Sequence, residues 1–349
     1  MTRKKIMFLY AELTHYLLGC IDEYSKLNKS NLIKVIYLNK FHNLSLKHNN
    51  SYEFISNEKF KTKRELLSYC ENFNPNILII SGRMSKDYLY VAKKLKNTSI
   101  RVTVQDTLYK RSMKQFLIKI FKEVLYKRYF DKFWGVGSLQ TKFALDIGFD
   151  KKDIKEGFYV ADKKFLNNSS IVDFKNKFLN ILFIGRLVKE KNIIKLAEAI
   201  DSINNSSNSK HKLIVIGEGY LKNEIQNYEC VEYEGSKSQD DIIEIARKCD
   251  VFCLPSIYEP WGVVTHEMCS LGLPILISNM CGSSEDLVIN KHNGFKFNPF
   301  DISSIKKAIL NFSNLDRDTK LKFSKNSIEL SKKINHELWS NNLNSFLSI

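Results

Sequence analysis

Two doubly wound α/β domains are the fold class this sequence predicts, on three observations. The chain has 349 residues, which at roughly 100–200 residues per domain allows two separate cores. Short apolar runs rich in Ile, Val, Leu and Phe alternate with longer amphipathic stretches, as buried parallel strands alternate with helices. Most of these runs end in Gly, Ser or Asp, as strands do where they enter a loop.

Taken in order, the first runs cover residues 6–11, 34–38, 77–80, 100–104 and 133–136. The second set covers 178–184, 212–216, 250–254, 274–277 and 294–297. Two sets of about five strands give two domains. Between them, residues 157–177 are weakly patterned and contain Asn167-Asn168-Ser169-Ser170, so the linker is placed there. From about residue 303 the pattern is helical to the end, with Trp339 and Leu343 as anchors. The domains are set at 1–165 and 166–325, followed by a terminal helix over 326–349. Open α/β sheets bind ligands at the carboxyl ends of their strands, so two such domains facing each other would leave a cleft lined by those ends.

Lys and Arg number 54 against 38 Asp and Glu, a net charge of +16. Residues 1–165 hold 32 basic and 16 acidic side chains, and residues 166–349 hold 22 of each. All the excess therefore lies in the front half, which is expected to meet something anionic: a membrane surface, nucleic acid or a polyanionic substrate. No stretch of 18 apolar residues exists to span a membrane. The run at 6–11 stops at Glu12, too short for a signal-peptide core. The seven cysteines include no C-x-x-C pair and read as reduced, mostly buried thiols of a cytoplasmic protein. Cys249 and Cys253 only flank an apolar strand, and no metal site is expected. Nothing matches a P-loop, H-E-x-x-H or G-x-S-x-G.

The back half carries the chemistry. After the run at 178–184 comes Gly185-Arg186-Leu187-Val188-Lys189-Glu190-Lys191-Asn192, a tight turn and two cations ahead of a helix, suited to a diphosphate. After the next run, Gly217-Glu218-Gly219 permits close backbone approach to a ligand. After 250–254 comes Pro255-Ser256-Ile257-Tyr258-Glu259-Pro260-Trp261-Gly262-Val263-Val264-Thr265-His266-Glu267. Pro260 and Gly262 hold its start out of a helix that begins near Val263 and ends near Gly272. Glu259 then precedes the helix, Glu267 lies about one turn inside it, and the amides of residues 262–264 point outward at the positive end of the helix dipole. His266, between the two glutamates, either faces the donor or holds a structural place in that helix, and the structural place is the one expected.

The Glu259–Glu267 pair, an E-x7-E spacing followed by Gly272-Leu273-Pro274 and preceded by the two glycine-bearing loops, resembles the family 4 glycosyltransferases. Those are retaining enzymes of the GT-B fold, two facing Rossmann-like domains with a cleft between them and a final helix crossing back to the first. The motif match spans residues 181–299. By the resemblance, Arg186 and Lys191 would neutralise the donor diphosphate, Glu259 would contact the transferred sugar and Glu267 the ribose. The amides of Gly262, Val263 and Val264 would hold phosphate, and Gly217 and Gly219 would shape the nucleoside pocket. Glu259, Arg186 and Lys191 are the catalytic candidates, no metal is needed, and the nucleotide sugar is a substrate rather than a cofactor. Both cations are expected at the cleft surface, where their replacement would leave folding nearly untouched.

The sequence departs from the family at three places. Ala11-Glu12-Leu13-Thr14 stands where Gly-Gly is frequent, and Val104-Gln105-Asp106-Thr107 where a His is common. Asn192 replaces the usual Gly, a change compatible with a left-handed backbone. Gln105, Asp106, Arg83 and Glu12 are the acceptor-side candidates; Asp106 either sits charged in the cleft or caps the following helix. His15, like Arg83-Met84-Ser85, follows a front-half strand and is a further candidate to face the acceptor.

The leading reading is thus a retaining transfer from a nucleotide sugar to a glycan or lipid-linked acceptor, in bacterial surface polysaccharide synthesis. A nucleotide-sugar epimerase of the same fold is the enzyme alternative. A basic nucleic-acid-binding protein would explain the charge but not the back-half motifs, so no nucleic-acid partner is expected. Residues 110–128 add a location. Lys110, Arg111, Lys114, Lys119, Lys122, Lys127 and Arg128 oppose Glu123 alone, while Met113, Phe116, Leu117, Ile120, Phe121, Val124 and Leu125 recur at helical spacing. The apolar stripe is expected to pack inward on the sheet. The basic face, near Tyr126 and Tyr129, is then either merely solvated or rests on anionic lipid, placing the protein peripherally on the inner face of the plasma membrane.

Overall fold

The computed structural model describes residues 3–40, 51–109 and 112–348. It divides into two compact units, one of Met1–Val160 with Ile334–Ile349 and one of Ala161–Lys333. In the first unit the apolar runs become β1 (Lys5–Leu13), β2 (Leu32–Lys40), β3 (Tyr52–Ser56), β4 (Ile77–Ser81), β5 (Ile100–Gln105), β6 (Lys132–Gly135) and β7 (Ile154–Lys155). The helices α1 (His15–Leu27), α2 (Lys63–Phe73), α3 (Lys86–Lys94), α4 (Met113–Ile120) and α5 (Ser138–Asp146) fall among these strands. The parallel sheet has the order β3-β2-β1-β4-β5-β6-β7. The winding therefore reverses between β1 and β4, the point at which such sheets open a crevice at their carboxyl ends.

The second unit begins with α6 (Lys163–Leu166) and continues with β8 (Asn180–Ile184), α7 (Ile193–Ser207), β9 (Lys212–Ile216), α8 (Lys222–Ile225), β10 (Val231–Gly235) and α9 (Gln239–Ala246). There follow β11 (Val251–Leu254), α10 (Val263–Ser270), β12 (Ile275–Ser278), α11 (Ser284–Leu287), β13 (Gly294–Phe297), α12 (Ile302–Ser313) and α13 (Arg317–Ser331). Its parallel sheet runs β10-β9-β8-β11-β12-β13, with the reversal between β8 and β11. The chain ends in α14 (His336–Leu347), which belongs to the first unit. There Trp339 is fully buried, its ring 5.1 Å from Trp134 and 6.3 Å from Phe8, and Leu343 is buried beside it.

The unit boundaries differ from 165/166 and 325/326 for identifiable reasons. The Ala161 amide donates to His266 Nδ1 at 3.0 Å and Phe165 is buried in α6, so residues 161–165 go with the second unit. Residues 326–331 continue α13, where Ser327, Leu330 and Ser331 are buried. The stretch expected to be a linker is largely a packed strap: Val172 and Phe174 are buried, and the Val172 amide donates to Ser324 Oγ at 3.0 Å.

One expectation is overturned. The apolar stripe after residue 112 does not pack on the sheet. Met113, Phe116, Leu117, Ile120, Phe121 and Val124 are all exposed, and the buried residue of α4 is Gln115. Gln115 closes a capping box with Ser112 and donates from Nε2 to the Leu108 carbonyl at 2.9 Å. This polar tether, with Ile118, Leu125 and Tyr126 below, fixes the opposite face toward the core. Lys110 and Arg111 lie outside the described residues.

Candidate functional site

The second unit brings its motif residues to the β8/β11 reversal, because the loops leaving those two neighbouring strands carry Lys191 and Glu259. The Lys191 ammonium pairs with the Glu259 carboxylate, with the two side chains only 15% and 12% exposed. Lys191 ends a 3-10 turn, Lys189–Lys191. Asn192 then takes a left-handed φ of 57° and donates from Nδ2 to the carbonyls of Pro255 and Pro299 at 3.2 and 2.9 Å. Asn is one of the few side chains that tolerates this conformation; here it also ties the β8 loop to the β11 loop. The Ile257 amide, donating to the Glu190 carbonyl at 2.9 Å, makes a second tie.

Lys191 is therefore not the surface cation the sequence suggested. It is largely buried against its acid, and losing it would strand Glu259. Arg186, by contrast, is exposed.

The glycines act through chain contact. A Cβ on Gly217, at φ +136°, would stand 1.9 Å from the Gly185 carbonyl oxygen, and one on Gly219 would stand 2.3 Å from that of Leu187. The close approach read from the sequence is thus made by the β8 loop, held by Leu187 N–H donating to the Glu218 carbonyl at 2.8 Å. Gly185 itself is looser, its nearest neighbours being Phe183 at 3.2 Å and the Lys191 stem at 3.7 Å.

Gly262, at φ +87°, turns the chain into α10, and no side chain caps that helix. A Cβ there would lie 3.0 Å from Glu259 Cγ, so Glu259 sits against the turn preceding the first amides of α10, those of Val263 and Val264. First-turn amides have no intrahelical acceptor and sit at the positive end of the dipole. An anion-accepting helix end, an ammonium and a carboxylate are thus assembled within one unit.

Glu267 stands apart from that pair, half-buried one turn into α10. Desolvation, reinforced by the negative charge of Asp162, pushes its carboxyl up to about 7. His266 is fully buried: Nδ1 accepts from Ala161 and Nε2 meets the Ser331 carbonyl at 2.9 Å. A carbonyl can only accept, so the ring is the Nε2–H tautomer, and its place is structural.

Sequence reasoning missed the turn after β12. Glu259 N–H donates to the Met280 carbonyl at 3.2 Å, Gly282 N–H to that of Glu259 at 3.0 Å and Ser283 N–H to that of Trp261 at 3.0 Å. A Cβ on Gly282 would stand 2.0 Å from the Pro260 carbonyl oxygen. This turn holds the Glu259 loop in shape. Its signal was a glycine four residues past the end of β12, in Cys281-Gly282-Ser283. Asp162, from a stretch read as linker, had no sequence signal.

In the first unit Glu12, Arg83, Gln105 and Asp106 follow or end β1, β4 and β5 around the β1/β4 reversal. Gln105 is buried, donating from Nε2 to Thr103 Oγ1 at 3.2 Å and packing on Gly82. Asp106 caps no helix, since Ser112 caps α4; it accepts from the Tyr159 hydroxyl at 3.0 Å. The Arg83 guanidinium lies 5.3 Å from the Tyr126 ring centre. Glu12 is exposed, as is His15.

Residues 166–330, nearly all of the second unit, match the family model described as glycosyl transferases group 1. An uncharacterized glycosyltransferase of Methanocaldococcus jannaschii is 30% identical over 162 residues, 45% of this chain and 44% of that one. The UDP-Gal:alpha-D-GlcNAc-diphosphoundecaprenol alpha-1,3-galactosyltransferase of Escherichia coli is 31% identical over 163 residues, 44% of this chain and 42% of that protein. The match therefore spans less than half the length of these curated relatives. Among solved structures, Anabaena HepE in complex with UDP and glucose superposes with a TM-score of 0.72 at 15% identity, covering 99% of this chain and 100% of that one. With two parallel-sheet Rossmann-like units, the fold is GT-B.

Proposed function

We propose that this protein is a retaining glycosyltransferase that moves a sugar from a nucleotide-sugar donor to a glycan or lipid-linked acceptor in bacterial surface polysaccharide synthesis, without a catalytic metal. The observation that carries the reading is the Lys191–Glu259 pair set beside the uncapped start of α10. The donor diphosphate lies on Arg186, Lys191 and the amides of Gly262, Val263 and Val264. Glu259 accepts hydroxyl protons of the sugar and Glu267 those of the ribose, while Gly217 and Gly219 keep the two loops packed beneath and Gly185 gives the donor room. The bond from sugar C1 to the phosphate oxygen breaks and its electron pair leaves on the diphosphate, where the cations and helix dipole meet the new charge. The acceptor oxygen bonds to C1 on the same face and gives up its proton to the departing phosphate oxygen. Gln105, Asp106, Arg83 and Glu12 are the residues assigned to the acceptor side.

The Escherichia coli relative is named for a UDP-sugar donor and a diphosphoundecaprenol acceptor, and HepE was solved with UDP; both support this chemistry here. The charge excess in residues 1–165 supports a peripheral position on the inner face of the plasma membrane.

A thermal-shift screen against UDP-, GDP-, ADP- and CMP-sugars tests the reading. One donor at about a hundred times its Kd should stabilise the protein by about 2.7 kcal/mol, and turnover with it should persist in excess EDTA. No shift with any donor would overturn the donor site; loss of turnover on chelation would overturn metal independence.

A further inference from the structure

We infer that the segment of residues 113–124 is a membrane-inserting element, entering an anionic bilayer with its apolar side chains rather than merely resting on it by charge. α1, α2 and α3 all bury apolar stripes: Leu17, Ile21 and Tyr24; Leu66, Cys70 and Phe73; Tyr88, Val91 and Ala92. The segment beginning with α4 inverts that rule. Met113 is 75% exposed, and Phe116, Leu117, Ile120, Phe121 and Val124 are each exposed by half or more. Within α4, Met113, Phe116, Leu117 and Ile120 follow i, i+3, i+4 and i+7 and so form one face, and Phe121 and Val124 continue the exposed apolar run into the π-helical turn Glu123–Lys127.

The inversion is built in rather than frayed. The Gln115 capping box and its bond to Leu108 anchor the opposite side, and Tyr126 is buried below it. A contiguous exposed patch of large apolar side chains on a water-soluble fold marks an interaction site.

The chemistry around the patch selects the occupant. Lys114, Lys119, Lys122, Lys127 and Arg128 lie in the same stretch with a single acid, Glu123. Apolar residues on one face with basic residues around them are the composition of a helix lying in the interface of an anionic bilayer. None of the described helices is long and apolar enough to cross a membrane, so the element would lie in the interface. This deepens the peripheral placement proposed above and draws nothing from the donor site, so it can fail while that site stands.

The test is co-sedimentation of the full chain with phosphatidylcholine vesicles, with and without phosphatidylglycerol, at low salt and at about 1 M salt, where charges more than about 3 Å apart are screened. Binding to the anionic vesicles that weakens but persists at high salt is expected. The triple variant Phe116→Ser, Ile120→Ser, Phe121→Ser should bind about a hundredfold more weakly, with unchanged melting and donor binding. Phe116→Trp reads depth directly, because Trp134, Trp261 and Trp339 are buried: its emission should shift to the blue on vesicles and be quenched by bromine-labelled acyl chains.

Complete release by salt, with the triple variant binding as wild type, would leave an electrostatic dock and overturn insertion. Absence of binding to any vesicle would overturn both. A wild-type dimer that becomes monomeric in the triple variant, with vesicle binding unchanged, would assign the face to a second copy of the chain and also overturn the inference.

Discussion

Removing the Lys191 ammonium should cost the fold and the reaction separately, and the two costs can be measured apart. Lys191 and Glu259 are paired with side chains 15% and 12% exposed. The pair is neither a solvated contact, worth about 0–1 kcal/mol, nor a fully desolvated one, where losing one partner costs about 3–5 kcal/mol. Lys191→Met keeps the apolar stem and drops the charge, so it should destabilise the second unit by about 2 kcal/mol, between those limits. For a unit of this size that lowers the melting temperature by about 4–8 °C. Adding Glu259→Gln removes the stranded carboxylate and should recover most of the loss, leaving a coupling energy of about 1–2 kcal/mol across the double-mutant cycle. In kcat/KM, Lys191→Ala should cost about 2–4 kcal/mol, the scale of one preorganised charge stabiliser. Arg186→Ala should cost a similar amount in catalysis and nothing in stability, because its side chain is exposed. Thermal and urea unfolding of the four cycle members, beside turnover of the donor, measures both. Wild-type stability in Lys191→Met with coupling below about 0.5 kcal/mol would refute the preorganised pair; wild-type turnover in Lys191→Ala would refute its place at the diphosphate.

Burial raises the Glu267 carboxyl from 4.5 to about 7. The folded state therefore holds this proton more tightly than the unfolded one, and stability falls as pH rises from about 4.5 to 7, by about 3 kcal/mol in total. Glu267→Gln should flatten that slope in urea titrations, and it should weaken nucleotide binding more than turnover, the reverse of Glu259→Gln. If the ionised carboxylate accepts from the ribose, wild-type donor affinity should drop about fivefold between pH 7 and 6, measured by calorimetry. Gly219→Ala, whose Cβ would stand 2.3 Å from a backbone oxygen, should destabilise the second unit by at least about 2 kcal/mol. Gly185→Ala, whose nearest contact is the Phe183 ring at 3.2 Å, should lose less stability than Gly219→Ala while weakening donor binding; equal melting temperatures for the two variants would contradict the loop packing.

What the sequence revealed followed from burial. Strands buried on both faces, such as Ile77–Ser81 and Val251–Leu254, stand out as unbroken apolar runs. The strands missed were edges: Tyr52–Ser56 and Val231–Gly235 carry charged residues, and Ile154–Lys155 has only two residues. In the site, Lys191, Asn192 and Glu259 could be read because their loops are compact and motif-bearing. The pairing of Lys191 with Glu259, and the raised pKa of Glu267 beside Asp162, depend on side chains distant in sequence, which no local pattern encodes. The α4 stripe shows the opposite limit. Helical periodicity identifies an apolar face but not its direction, and one buried glutamine turned that face outward.

Hydrogen–deuterium exchange of the full chain, with and without a saturating nucleotide sugar, tests the donor site most directly. Protection should gather in four segments of the second unit: residues 185–192, 217–219, 255–267 and 279–284, the loops joined around Lys191, Glu259 and the start of α10. Protection centred elsewhere, or no protection with any nucleotide sugar, would contradict it.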